Sequence, residues 1–151
     1  MNVWLATASV FLVAGFVPVV WGVTTGPLGR GVAAQNLGTS VVCLAILLLS
    51  QGYGRPSYVD VALVVAVLGP VGTLVYARLL ADELQDDPPH TRLFTVSVVC
   101  VTVPVVVALC LAGGPGRAAA KLVLVGVLLV VGNVIASRAL PGGFSRSEVT
   151  R

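Results

Sequence analysis

The chain has little charge. Asp, Glu, Lys and Arg make up 10% of its 151 residues, where an ordinary soluble domain carries roughly 25%, while 57% are hydrophobic and the mean hydropathy is +1.02. A water-soluble domain is excluded; this is the composition of an integral membrane protein. Charge is scarcest where it would matter most, since no Asp, Glu, Lys, Arg or His falls at the expected midplane of any apolar run. A protein that moves protons by itself needs ionisable residues spaced across the membrane, so this chain alone is poorly equipped for that task. No Lys or Arg precedes Arg30, so the basic start of a signal peptide is missing and the first run reads as a retained helix. Also missing are a phosphate-binding glycine loop, metal-ligand spacing around Cys43, Cys100 and Cys110, and a nucleophile beside a base. Enzymatic chemistry, a cofactor and a bound metal are therefore not expected, the cysteines reading as packing thiols.

What is present is five apolar runs, near residues 2–24, 31–50, 58–81, 92–112 and 118–140. Each is close to the roughly 20 residues a helix needs to cross hydrocarbon. Barrel strands would instead be segments of about 10 residues with alternating polarity, so the fold class is an all-α membrane protein with five transmembrane helices. Turn signals separate the runs: Gly26-Pro27 with Gly29 and Gly31, then Gly52-Tyr53-Gly54-Arg55-Pro56, Asp86-Asp87-Pro88-Pro89 and Gly113-Gly114-Pro115-Gly116. Residues 141–151 form a polar tail. Basic residues in short loops favour the cytoplasm, and an N-out, C-in arrangement places six inside (Arg30, Arg78, Arg92, Arg138, Arg146, Arg151) against three outside (Arg55, Arg117, Lys121).

The polar residues within the runs are the candidate functional ones. Asp60 stands at the entrance of the third run and has two readings. It is a cation- or proton-attracting acid at a membrane boundary, or it closes a capping box with Ser57 and is favoured there by the helix dipole. Gln35, Asn36, Thr39 and Ser40 group in the second run and Asn133 with Ser137 in the fifth; amides and hydroxyls are costly against lipid, so these mark faces turned to other helices or to water. Gly69-Pro70 predicts a kink or local unwinding, because proline leaves the carbonyl of Ala66 without a donor. Gly69, Gly72 and Thr73 form a small-residue face for close helix packing. The acids Asp82, Glu83, Asp86 and Asp87 beside His90 and Arg92 read as a solvated loop or as a cation-collecting mouth. The net charge of +3 reflects topology, and no nucleic-acid partner is expected.

Residues 54–80, with the basic loop before Asp60 and Gly72-Thr73 leading to Tyr76 and Arg78, resemble the third helix of the F-type component of the multi-subunit monovalent cation/proton antiporters of the Mrp or Mnh type. Gly26-Pro27, Arg30 and Leu37-Gly38-Thr39 extend the likeness over residues 1–85. Two acids usual in that family are absent, their places taken by Gly29 and Gln35. Residues 92–140 resemble, more weakly, the last two helices of the G-type component of the same complexes, with Thr91-Arg92-Leu93 corresponding to its Arg-Leu-His signature and Phe94 standing where the His is usual. The resemblance implies an F-like unit (1–85), a linker (86–91), a shortened G-like unit (92–140) and a tail. It implies an accessory, non-catalytic subunit in the cell membrane, partnered by other membrane subunits of a complex that exchanges Na+ for H+ and is related to the membrane arm of respiratory complex I. Asp60, Gln35, Asn36 and Thr39 are the cation-route candidates; Gly26, Pro27, Arg30, Gly38 and Arg92 are the family-motif residues. Two alternatives stand beside it: a scaffold subunit of a complex I-like or membrane-bound hydrogenase-type assembly, and a small self-sufficient homo-oligomeric exporter.

Overall fold

The structure, a computed structural model, describes residues 2–25, 28–79, 91–114 and 116–139. Five helices run through them: α1 (Val3–Thr24), α2 (Leu28–Tyr53), α3 (Ser57–Leu79), α4 (Thr91–Gly113) and α5 (Arg117–Ala139). All five are long and apolar enough to cross a membrane, and the described residues contain no strand. The expected spans therefore stand, with α2 reaching about one turn further at each end. Gly29 and Gly31, expected in the first turn, belong to α2. Gly26 and Pro27, the acidic loop with His90 and the polar tail lie outside the described residues, as does the side chain of Arg92.

The α2–α3 connection shows how local chemistry stops a helix. Gly54 adopts a positive φ of 62°, a conformation glycine enters without a Cβ penalty. Arg55 N–H then reaches back to the Ser50 carbonyl at 3.0 Å, and Gly54 N–H to that of Gln51 at 3.3 Å, a Schellman closure of the last turn. The Ser50 hydroxyl donates to the Arg55 carbonyl at 3.0 Å, holding the chain as it turns into Pro56. From the other side of the seam, the Asn2 amide donates to the Gly52 carbonyl at 3.0 Å.

α2 is the central element. Within its spanning window 67% of residues are buried, against 11% for α1. α2, α3, α5 and α4 form a closed ring in which each packs on the next, and α1 is attached from outside to α2 alone among the described helices. The shared core draws Cys43, Leu44, Leu47 and Leu48 from α2, Val59, Ala62 and Ala66 from α3, Leu109 from α4, and Leu122, Val125 and Leu129 from α5. Spacings of three and four recur in these sets, so each helix buries one stripe and leaves valines and leucines facing outward. Cys43 fits the expected packing role, its thiol 3.2 Å from the Ala62 carbonyl. Cys100 does not: it is exposed on α4.

Lipid tails are as apolar as leucine, so the helices are held by close packing. Small residues make that approach possible. A Cβ on Gly69 of α3 would lie 2.7 Å from the Thr39 methyl of α2, and a Cβ on Gly132 of α5 would collide with the Pro70 ring of α3. The Pro70 ring is thus seated against α5, and helical geometry runs unbroken through it. The helix is not unwound at Pro70, and the Thr73 hydroxyl donates to the Gly69 carbonyl at 3.2 Å in the next turn. On the other seam, Gly15 and Gly22 of α1 receive Val41 and Ala34 of α2, while Gly38 of α2 receives Val19 of α1.

Gly72, expected on the same packing face, has open space where a Cβ would stand. Its reason for being small is therefore not helix contact. Gly69→Val is expected to destabilise the protein by about 1–3 kcal/mol through overpacking, whereas Gly72→Ala should be neutral or stabilising by up to about 1 kcal/mol from helix propensity. Unfolding in detergent mixtures measures both, and equal losses would contradict this assignment.

Candidate functional site

Antiparallel packing of α2 and α3 puts the start of α2 beside the end of α3. Gln35, Asn36 and Thr39 therefore face Val65, Leu68, Gly69, Gly72 and Thr73, and the two sets line a cavity of about 170 Å³. Three of the four expected cation-route residues thus meet three of the four expected packing residues in one polar cleft. At 1.5 Å of rise per residue the lining lies roughly 9–21 Å from that end of the bundle, which carries it to about the middle of the helices.

Its chemistry is neutral. The hydroxyls of Thr39 and Thr73 donate to the carbonyls of Gln35 and Gly69 in their own helix, at 3.1 and 3.2 Å, leaving their oxygen lone pairs as acceptors. Gln35 is exposed; Asn36 and Thr73 are buried. Behind the cleft the Asn36 amide donates to Asn133 Oδ1 of α5 at 2.6 Å, a buried bond between opposite members of the ring. Ser40 Oγ donates to the Asn36 carbonyl at 3.1 Å, completing the cluster. Asn133 Nδ2 is buried without a protein acceptor.

Asp60 is not part of this cleft. It sits nine residues before Gly69, roughly 14 Å along α3, in the first turn. Its carboxylate lies 2.6 Å from Lys121 Nζ of α5, both side chains being more than half exposed. The carboxylate thus has a tethered cation as its partner, and its hydrogen bond goes to Lys121 rather than back to Ser57 as a capping box requires. Of the motif residues, Arg30 donates to the Thr25 carbonyl at 3.1 Å, spanning the α1–α2 connection. Gly38 makes room for α1.

Lys121 and Asn133 are the functional-site residues that sequence reasoning did not pair. Depth matching would have found both. Asp60 lies three residues into α3 and Lys121 four into α5, helices that start at the same end; Asn36 lies eight residues into α2 and Asn133 six before the end of α5. A second groove of about 330 Å³, between α1 and α4 over α2, is apolar apart from hydroxyls such as that of Thr102, whose Oγ1 is buried without a partner. Among the described residues no three His, Cys, Asp or Glu gather to hold a metal.

Residues 30–81 match the family model described as Multiple resistance and pH regulation protein F (MrpF / PhaF). The matched segment covers α2 and α3, including the cleft and Asp60, so the F-like reading holds there; α1, α4 and α5 lie outside it, and the G-like reading of residues 92–140 gains no support from it. No curated protein and no solved structure matches the chain.

Asn36→Leu should lower stability by about 1–3 kcal/mol, because it leaves the second Asn133 group unpaired as well, and Asn36→Leu with Asn133→Leu should recover part of that loss. A double-mutant cycle of Asp60→Asn and Lys121→Gln should give a coupling of only about 0.2–1 kcal/mol, as expected for an exposed pair. Unfolding of the purified protein in mixed micelles supplies both numbers.

Proposed function

We propose that this multi-pass membrane protein, which carries an MrpF/PhaF segment at residues 30–81, is a non-enzymatic accessory subunit of a multi-subunit Na+/H+ antiporter in the cell membrane. The family match over the α2–α3 pair is the observation that carries this reading. The depth of the bundle supports it: the buried polar residues among those described, Asn36, Ser40, Ser50, Thr73, Thr102 and Asn133, are all uncharged. A subunit so built supplies shape and neutral oxygens, while partner subunits supply the charged proton path and the energy comes from inward proton movement. In this arrangement Gln35, Asn36 and Thr39 line the cation route, N-out and C-in, with the acid they lack contributed by a neighbour. Asp60 stands apart from the route, paired with Lys121.

That ion pair also favours the scaffold reading, in which the chain holds a complex I-like or hydrogenase-type assembly together and touches no ion. Deleting the gene should abolish both Na+ resistance and assembly of the complex; normal assembly and normal exchange without the chain would refute the proposal. Gln35→Ala separates the two readings. It should depress Na+/H+ exchange in membrane vesicles while the complex still co-purifies, and unchanged exchange would leave the scaffold. Asp60→Asn should leave exchange intact.

A further inference from the structure

We infer that the cleft between α2 and α3 is a water-filled vestibule, entered from the end where α2 begins and closed at its inner wall by the Asn36–Asn133 bond. Several independent observations point to water as the occupant. The cleft holds about 170 Å³, enough for several molecules at roughly 30 Å³ each. Four polar residues line it, Gln35, Asn36, Thr39 and Thr73, where lipid contact would leave hydroxyl and amide lone pairs without donors. Gly72 adds free volume, since nothing lies within 4 Å of where its Cβ would be. Behind Asn36, Asn133 Nδ2 is a buried donor without an acceptor, so the inner wall calls for the bonds that water makes.

A bare cation does not fit the same chemistry. The lining contains no carboxylate, and neutral oxygens on one side of a cleft do not offset the dehydration of an ion. This deepens the proposed cation route and rests on it in one respect only: an ion using this face stays hydrated until a partner's acid takes over. The presence of water itself requires only that the helices span a membrane.

The test is thiol reactivity in membrane vesicles of both orientations, on the full chain with Cys43→Ala, Cys100→Ser and Cys110→Ala. Gly72→Cys is compared with Val71→Cys, its neighbour at the same depth, 49% exposed on the outward surface. A thiol reacts as the thiolate, which hydrocarbon suppresses and water permits, so Gly72→Cys should react with a charged, membrane-impermeant methanethiosulfonate at least about tenfold faster than Val71→Cys. Equal rates would overturn the inference. Should the cysteine background not fold, hydroxyl-radical footprinting of the unaltered protein asks the same question: oxidation of Val65 above that of Val64 supports the vestibule, and the reverse refutes it. Neither readout depends on transport. A chain that fails to join an antiporter yet reacts at position 72 disproves only the functional reading, and a chain that joins but does not react disproves only the vestibule.

Discussion

A carboxamide left unpaired in hydrocarbon costs several kcal/mol, and the bond between Asn36 and Asn133 is where this bundle meets that constraint. The bond joins α2 to α5, helices on opposite sides of the ring that otherwise touch little. To bring the two amides together, α3 must approach both neighbours closely, and it does so at adjacent residues: Gly69 against Thr39 of α2 and Pro70 against Gly132 of α5. The polar contact and the two close approaches occupy one layer of the bundle. That layer fixes how α2, α3 and α5 sit against one another, since much of the remaining contact among them is aliphatic surface little different from lipid.

Much of this was legible from the residues alone. The number of helices and their limits followed from run length, and of the polar groups at residues 35–40 and 133–137, Asn36, Ser40 and Asn133 are buried between helices. Which face each helix buries was not legible, since the third helix is apolar almost all round and Val59 and Val61 read alike until one is inside and the other outside. Pairing across the bundle was obscured for the same reason. Lys121, at the start of the fifth run, counts only for topology in the sequence, and its height beside Asp60 reveals it as a partner. Pro70 shows how far a local rule reaches: proline removes a backbone donor, yet the helix continues through it, with the ring seated against Gly132 of another helix.

The family segment acquires a different internal logic in this setting. Its acid is neutralised within the chain by a lysine from outside the matched residues. Its polar face backs onto an amide from the same C-terminal helix. Helices α4 and α5 are therefore wired into the chemistry of the F-like pair, whatever their own ancestry.

The seam between α1 and α2 has a consequence of another kind. Gly15 and Gly22 of α1 and Gly38 of α2 each receive one particular side chain, Val41, Ala34 and Val19. Because the notches lie on both helices and admit knobs of different size, sliding α1 along its axis by a single residue would set a Cβ-bearing residue where each knob now meets a glycine. The seam works as a vernier: it sets the height of the amino terminus relative to α2, and hence relative to the bilayer, in register with the Asn2–Gly52 bond at one end of α1 and the exposed Trp21 at the other.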